Sequence, residues 1–195
     1  MNVEDFTNTL NGDSSYLDKV KFAVSNFEFL FGLDNGWKSL IINRRKPFTY
    51  RVFQNFGDMR VCLHKFDVCE EEESFFHPHP WPGAFFIVKG NYLMNVGRSD
   101  NLEDDPHFVY RQIQAPGSSY EIIYPETWHS VTPLGGTVYT LMVNGLPWDQ
   151  QTNKFARKGH SKTRTTKGKD LDEMSPEDID AFFIDYKHHW LKLGL

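Results

Sequence analysis

The sequence predicts an all-β core, a small jelly-roll barrel, with an α-helix flanking it at each end. Three observations carry this. Short apolar, β-branched or aromatic runs recur over about 37–150, separated by turns that hold Gly or Pro. An apolar pattern at helical spacing precedes them over about 15–31, and another follows over about 176–193. Aromatics make up 15% of the chain, with 17 Phe and 5 Trp, which suits strands and an aromatic-lined interior. At 195 residues the chain fits one domain, 1–195, with enough length to bury a core.

Residues 1–13 are polar and are predicted to fray. From Ser15, Leu17, Val20, Phe22, Ala23, Phe27 and Leu30 mark one helix, ended by Gly32 or Asn35-Gly36. Strands follow. Phe48-Thr-Tyr-Arg-Val-Phe and Met59-Arg-Val-Cys-Leu-His are joined by a hairpin turn at Gly57-Asp58. Four glutamates, Glu70–Glu73, form a solvated loop. Phe85-Phe-Ile-Val, Asn91-Tyr-Leu-Met-Asn-Val, Phe108-Val-Tyr-Arg-Gln-Ile, Tyr120-Glu-Ile-Ile and Val138-Tyr-Thr-Leu-Met-Val complete the core. A basic, acid-free stretch at 154–169 has no periodicity and reads as a loop. Ser175-Pro176-Glu177-Asp178 then caps the last helix, with Pro in its first turn and acids at its amide end. Lys187, His188, His189 and Lys192 sit at its carbonyl end, where positive charge is favourable.

A formal charge of −5 argues against a nucleic-acid partner. Two cysteines, Cys62 and Cys69, make no disulfide framework and fit a reducing compartment. There is no basic, apolar leader after Met1 and no apolar run of bilayer length. The expectation is a cytoplasmic protein that binds neither membrane nor nucleic acid.

The chemistry concentrates in Phe75–Gly97. His77 and His79 are separated by one residue, so on an extended strand both imidazoles point the same way. His129 arrives later, in Tyr-Pro-Glu-Thr-Trp-His, again beside a strand-like run. Three neutral imidazoles suit Fe, Zn, Cu or Ni and leave coordination positions open. His77, His79 and His129 are therefore the candidate metal ligands, set in the barrel mouth. His64, Tyr92, Glu121, Tyr139 and Asn144 lie on strands and are candidates to orient ligands or move protons. Which of them face inward depends on register. Trp81 and Trp128, beside the ligands, could wall the pocket or pack the core.

His77-x-His79 followed by Gly90 resembles the first cupin motif, and Tyr124–His129 the second, over about residues 48–145. Where that motif usually has a glutamate, this chain has Gly83. A three-histidine set without the glutamate is similar to the thiol dioxygenases, the cysteine dioxygenase type. That resemblance implies an Fe(II) centre and gives Arg51, on a strand before the histidine pair, the role of clamping a substrate carboxylate. The family's Ser-x-His-x-Tyr set on the last strand is absent: the matching strand reads Thr140-Leu-Met142-Val-Asn144. His79-Pro-Trp81, Lys89-Gly-Asn-Tyr92 and Trp148 also look like a set of uncharacterised bacterial and phage cupin-like proteins.

The resulting expectation is a metal-binding cupin, an iron-dependent oxygenase acting on a small carboxylate- or thiol-bearing molecule. Arg51, Tyr92, Tyr139 and Asn144 are the candidate catalytic residues. Zn(II), Ni(II) or Mn(II) in place of Fe(II) would fit a non-redox isomerase, lyase or hydrolase. A non-catalytic ligand-binding cupin is the third possibility. A homodimer is expected by analogy with cupins.

Overall fold

The computed structural model describes residues 1–33, 36–43, 45–100, 105–148 and 172–194. The basic stretch 154–169 lies outside the described residues.

The chain opens with helix α1, Val3–Asn11, where fraying was expected. Asn2 caps it by accepting the Asp5 N–H at 2.8 Å. Phe6 and Leu10, four apart, are fully buried on one face. The buried Lys19 ammonium donates to the Leu10 carbonyl at 2.7 Å and to the Gly12 carbonyl, satisfying acceptors at the helix's carbonyl end. Asn11 ties α1 to the strands. Its amide donates to the Phe56 carbonyl at 2.8 Å and accepts the Asp58 N–H at 3.0 Å.

The helix expected at 15–31 is two, α2 (Tyr16–Ser25) and α3 (Phe27–Phe31). Asn26 divides them, its side chain donating to the Phe22 carbonyl in competition with the backbone ladder. The last helix, α4, runs Pro176–Leu191, capped by Ser175 as the sequence indicates.

Among the described residues eight strands stand between the helices: β1 Lys38–Ile42, β2 Thr49–Phe56, β3 Met59–Phe66, β4 His77–Pro78, β5 Gly83–Arg98, β6 His107–Gln114, β7 Ser119–Ile122 and β8 Thr127–Asn144. Every pairing between these strands is antiparallel. The order is β1-β2-β3-β8-β5-β6, with β4 on β8 and β7 on β5. Among the described residues this path does not close on itself, so the jelly roll is an open one.

The long strands β5 and β8 run through both halves of the sheet. Gly83–Lys89 pairs with Tyr139–Asn144, and Asn91–Arg98 with Thr127–Leu134. Register shifts around Lys89 mark the bend between the halves. Gly90 sits there at φ +76°, where an added Cβ would lie 2.7 Å from the Thr137 carbonyl oxygen.

Alternation along β2, β3, β8 and β5 separates core from site. The row Val52–Leu63–Leu141–Phe86 faces the helices and joins Phe6, Leu10, Phe27, Tyr186 and Trp190 in the main core. The neighbouring rows Arg51–His64–Thr140–Ile87 and Phe53–Cys62–Met142–Phe85 face the other way, into the roll.

Candidate metal centre

Two short segments bring the histidines together. β4 is only two residues long, and its pairing sets His77 directly across from His129 on β8. His79 lies just past β4. The Trp148 indole donates to the His79 carbonyl at 3.1 Å, and the Trp148 N–H to the Pro80 carbonyl at 2.9 Å, fixing the backbone where the strand pairing ends. One ligand nitrogen from each of His77, His79 and His129 falls within 4.8 Å of the others.

The ring orientations suit metal ligation. His77 Nδ1 faces the Phe75 carbonyl at 3.0 Å. A carbonyl only accepts, so Nδ1 carries the proton and Nε2 the lone pair. His79 Nε2 and His129 Nε2 stand 2.8 Å apart. Two nitrogens on one metal at ordinary bond lengths and a right angle would be about 3.0 Å apart. Burial pushes His77 down to about 4. The bond to the Phe75 carbonyl works against this, and the Arg51 and Arg45 charges add to it. At neutral pH His77 is therefore the neutral imidazole that a metal requires.

Aromatic rings surround the cluster. His79 meets Phe85 edge-on at 5.4 Å, and Phe85 stacks on Tyr120 at 4.8 Å. The Tyr120 ring centroid is 6.4 Å from that of His129, and its phenol accepts from the Tyr92 hydroxyl at 2.7 Å. Burial raises the pKa of both phenols, so both are neutral proton holders. Behind His77, the Phe75 ring stacks on its imidazole, and the Arg45 guanidinium lies 3.8 Å from the Phe75 centroid.

The structure sorts the remaining candidates by face. Arg51 lies on the inner wall, its Nε donating to His64 Nε2 at 2.8 Å. Tyr92 lies there too, across from Pro133 on β8 in the half that carries His129. Asn144 shares the inner face. Its Oδ1 accepts weakly from the Cys62 thiol at 3.6 Å, and its Nδ2 donates to the Gly145 carbonyl. Tyr139 stands on the opposite face of the sheet, its hydroxyl donating to Asp185 of α4. Glu121 pairs with Ala84, on that same helix-covered face. Trp128 alternates with His129 and points away from the cluster. With Arg45, Phe75, Phe76 and Pro106 it lines a separate outer cleft of about 480 Å³. Trp81 packs against the inner apolar cluster of Phe85 and Met142 and receives the Arg60 guanidinium over its ring. His189 departs from the cationic role expected at a helix carbonyl end. Burial lowers its pKa, and the nearby Lys89 ammonium adds to the effect.

Tyr120 and Phe85 were not singled out by the sequence. Each sits in an apolar run whose inward residue cannot be named without the register. The roles of the Phe75 carbonyl and the Trp148 indole have no side-chain motif.

No protein-family model matches the chain, and no curated protein matches it. Solved structures do. Hydroxypropylphosphonic acid epoxidase from S. wedmorenis aligns at 14% identity and a TM-score of 0.42, over 54% of this chain and 55% of that one. The Fe(II)-HppE structure with the alternative substrate (S)-1-HPP gives 16% identity and 0.42, over 55% of each chain. The chain thus spans about half the length of the structures it matches. A likeness at this level assigns no residue and no reaction here.

Proposed function

We propose that this chain is a metal-dependent enzyme of the cupin type, an iron oxygenase acting on a small anionic molecule. The observation that carries the reading is the cluster of His77, His79 and His129, with ligand nitrogens within 4.8 Å of one another. These residues would hold the metal through neutral imidazoles. Bound there, Fe(II) would supply open coordination positions at which a substrate anion and dioxygen meet.

The chain's own residues supply the rest. Arg51 is planar, permanently charged and suited to a carboxylate. Burial lowers its pKa, the nearby Cys62 pulls it back, and the Arg60 charge adds a smaller lowering. The inner rows of β2, β3, β8 and β5 carry the cations Arg51 and Arg60, a neutral His64, and no carboxylate among the described residues. A cationic wall beside a dication favours a substrate that brings negative charge. Tyr120, which accepts from the Tyr92 hydroxyl and has its ring beside that of His129, would serve as a proton donor on that flank. Phe85 and Tyr120 exclude water from one flank.

The test is elemental analysis of protein purified without added metal, followed by oxygen uptake after anaerobic loading with Fe(II). The substrates are two- to four-carbon carboxylic acids with and without a thiol. About one equivalent of iron, lost in His77→Ala, His79→Ala and His129→Ala, is expected. Uptake with at least one acid should be abolished in those variants and weakened in Arg51→Leu. Bound metal with no uptake, and turnover with Zn(II) or Ni(II) instead, would replace the oxygenase by a non-redox isomerase, lyase or hydrolase. No metal in any preparation would leave a ligand-binding cupin.

A further inference from the structure

Arg51, His64 and Thr140 form a chain across three strands. They occupy one row of the inner face, Arg51 opposite His64 in the β2–β3 register and His64 opposite Thr140 in the β3–β8 register. Arg51 Nε donates to His64 Nε2 at 2.8 Å, and His64 Nδ1 lies 3.2 Å from Thr140 Oγ1. A guanidinium only donates, so Nε2 holds the lone pair and Nδ1 the proton that goes to the threonine hydroxyl. His64 is 2% exposed and Thr140 1%. The imidazole has no room to turn away and one tautomer that satisfies both neighbours.

This arrangement constrains what Arg51 can do. A guanidinium pairs with a carboxylate in two ways, side-on through Nε and one Nη, or end-on through both Nη groups. His64 occupies Nε. Among the described residues it is the only hydrogen-bond partner of this guanidinium. The side-on mode is closed and the Nη fork is left for a ligand.

We infer that His64 is a positioning residue, which together with Thr140 fixes the Arg51 guanidinium for end-on pairing with a single carboxylate of the substrate. The inference rests on the reading of Arg51 as the anion clamp and adds what aims it. The ligand class is a small acid with one planar carboxylate presented to the Nη fork.

The experiment uses the full chain loaded with Zn(II), which is diamagnetic and takes imidazole ligands. Nitrogen-15 NMR of the arginine side chains follows the Arg51 Nε–H, with acetate as the probe anion. In the wild type this proton should exchange slowly with water. In His64→Leu the protection should vanish and the acetate Kd should rise about tenfold, the loss expected for one charge-assisted hydrogen bond. Zinc stoichiometry should not change. His64→Gln restores an acceptor and should recover most of both signals. Unchanged protection and affinity in His64→Leu would overturn the inference. An unchanged acetate Kd in Arg51→Leu, with the wild-type proton still protected through His64, would instead remove the clamp reading. If His64→Leu does not fold, Thr140→Val answers the same question. It keeps the imidazole and removes its anchor, so retention of full Arg51 Nε–H protection there would sink the proposal.

Discussion

A Cβ placed on Gly83 would stand 2.8 Å from the Val143 carbonyl oxygen and 3.0 Å from both Asn144 Cβ and Met142 Cε. Strand β8 lies against β5 at this point, so no side chain can leave the backbone without moving a strand. A glutamate at position 83 would meet the same obstacle. Gly83→Ala should lower stability by about 1–3 kcal/mol, the cost of overpacking a closed site. Gly83→Glu should lower it further without adding a metal ligand, which denaturant unfolding and metal titration of the two variants would check. A more tightly held metal in Gly83→Glu would contradict this account. The identity of Gly83, and the spacing of His77, His79 and His129 that the fold gathers into one cluster, were legible because residue types and their spacing are written in the chain. The pressure of β8 on Gly83 and the place of Tyr120 beside His129 were not. Both depend on which residues of distant strands lie opposite each other, and sequence alone leaves that register open.

At the scale of the element, α4 closes the helix-covered face. Trp190 stacks on Phe27 of α3 with centroids 3.6 Å apart and planes at 9°. Tyr186 is fully buried and sits over Tyr139 at 5.8 Å. Polar contacts frame the same seam. Tyr139 donates to Asp185, and Lys65 lies 3.4 Å from that carboxylate. Burial pushes Asp185 up, but the Tyr139 hydrogen bond and the Lys65 charge prevail and hold it below the ordinary carboxylate value. Trp190→Ala should cost about 3–5 kcal/mol through the cavity it leaves. Hydrogen exchange should then quicken in α4 before it does in β3 or β8, because the helix docks on a sheet that pairs without it. Equal loss of protection in helix and strands would show one cooperative unit instead. The start and cap of α4 could be read from Ser175-Pro176-Glu177-Asp178, since capping is local. Helix α1 could not. Its burial rests on Phe6 and Leu10 alone, and the buried Lys19 that closes it has the composition of a surface residue. Tyr139 shows the same limit from the other side. It shares β8 with His129 at an even spacing that unbroken alternation would place on one face, yet the register shifts around Lys89 turn it to Asp185 and away from the histidines.

For the whole molecule, the groups buried without charge set the pH range of stability. Inside the roll His64 is held well below its ordinary value, by burial first and by the Arg51 charge second. An unfolded histidine titrates near about 6.5. Between that value and the lower folded one, the unfolded chain binds the extra proton, so stability is complete above about pH 6.5 and falls as the solution becomes more acid. The tyrosines act at the other end. Burial raises Tyr92, Tyr120, Tyr139 and Tyr186, with the hydrogen bond to Asp185 adding to the effect at Tyr139. Unfolded phenols titrate near about 10, so their contribution is complete below that pH and is lost as the pH rises through and beyond it. Burial raises the Cys62 and Cys69 thiols as well, and an unfolded thiol titrates at about 8.5, so the metal-free protein should show a plateau of thermal stability between about pH 6.5 and 8.5, with a fall on each side. Calorimetry of the metal-free chain from pH 5 to 11 would trace it. His64→Gln carries no titrating group at that position, so its acid limb should be shallower while its alkaline limb is unchanged. An acid limb of the same slope in His64→Gln would mean that His77, which burial also depresses, or carboxylates elsewhere, not the imidazole between Arg51 and Thr140, set the lower bound.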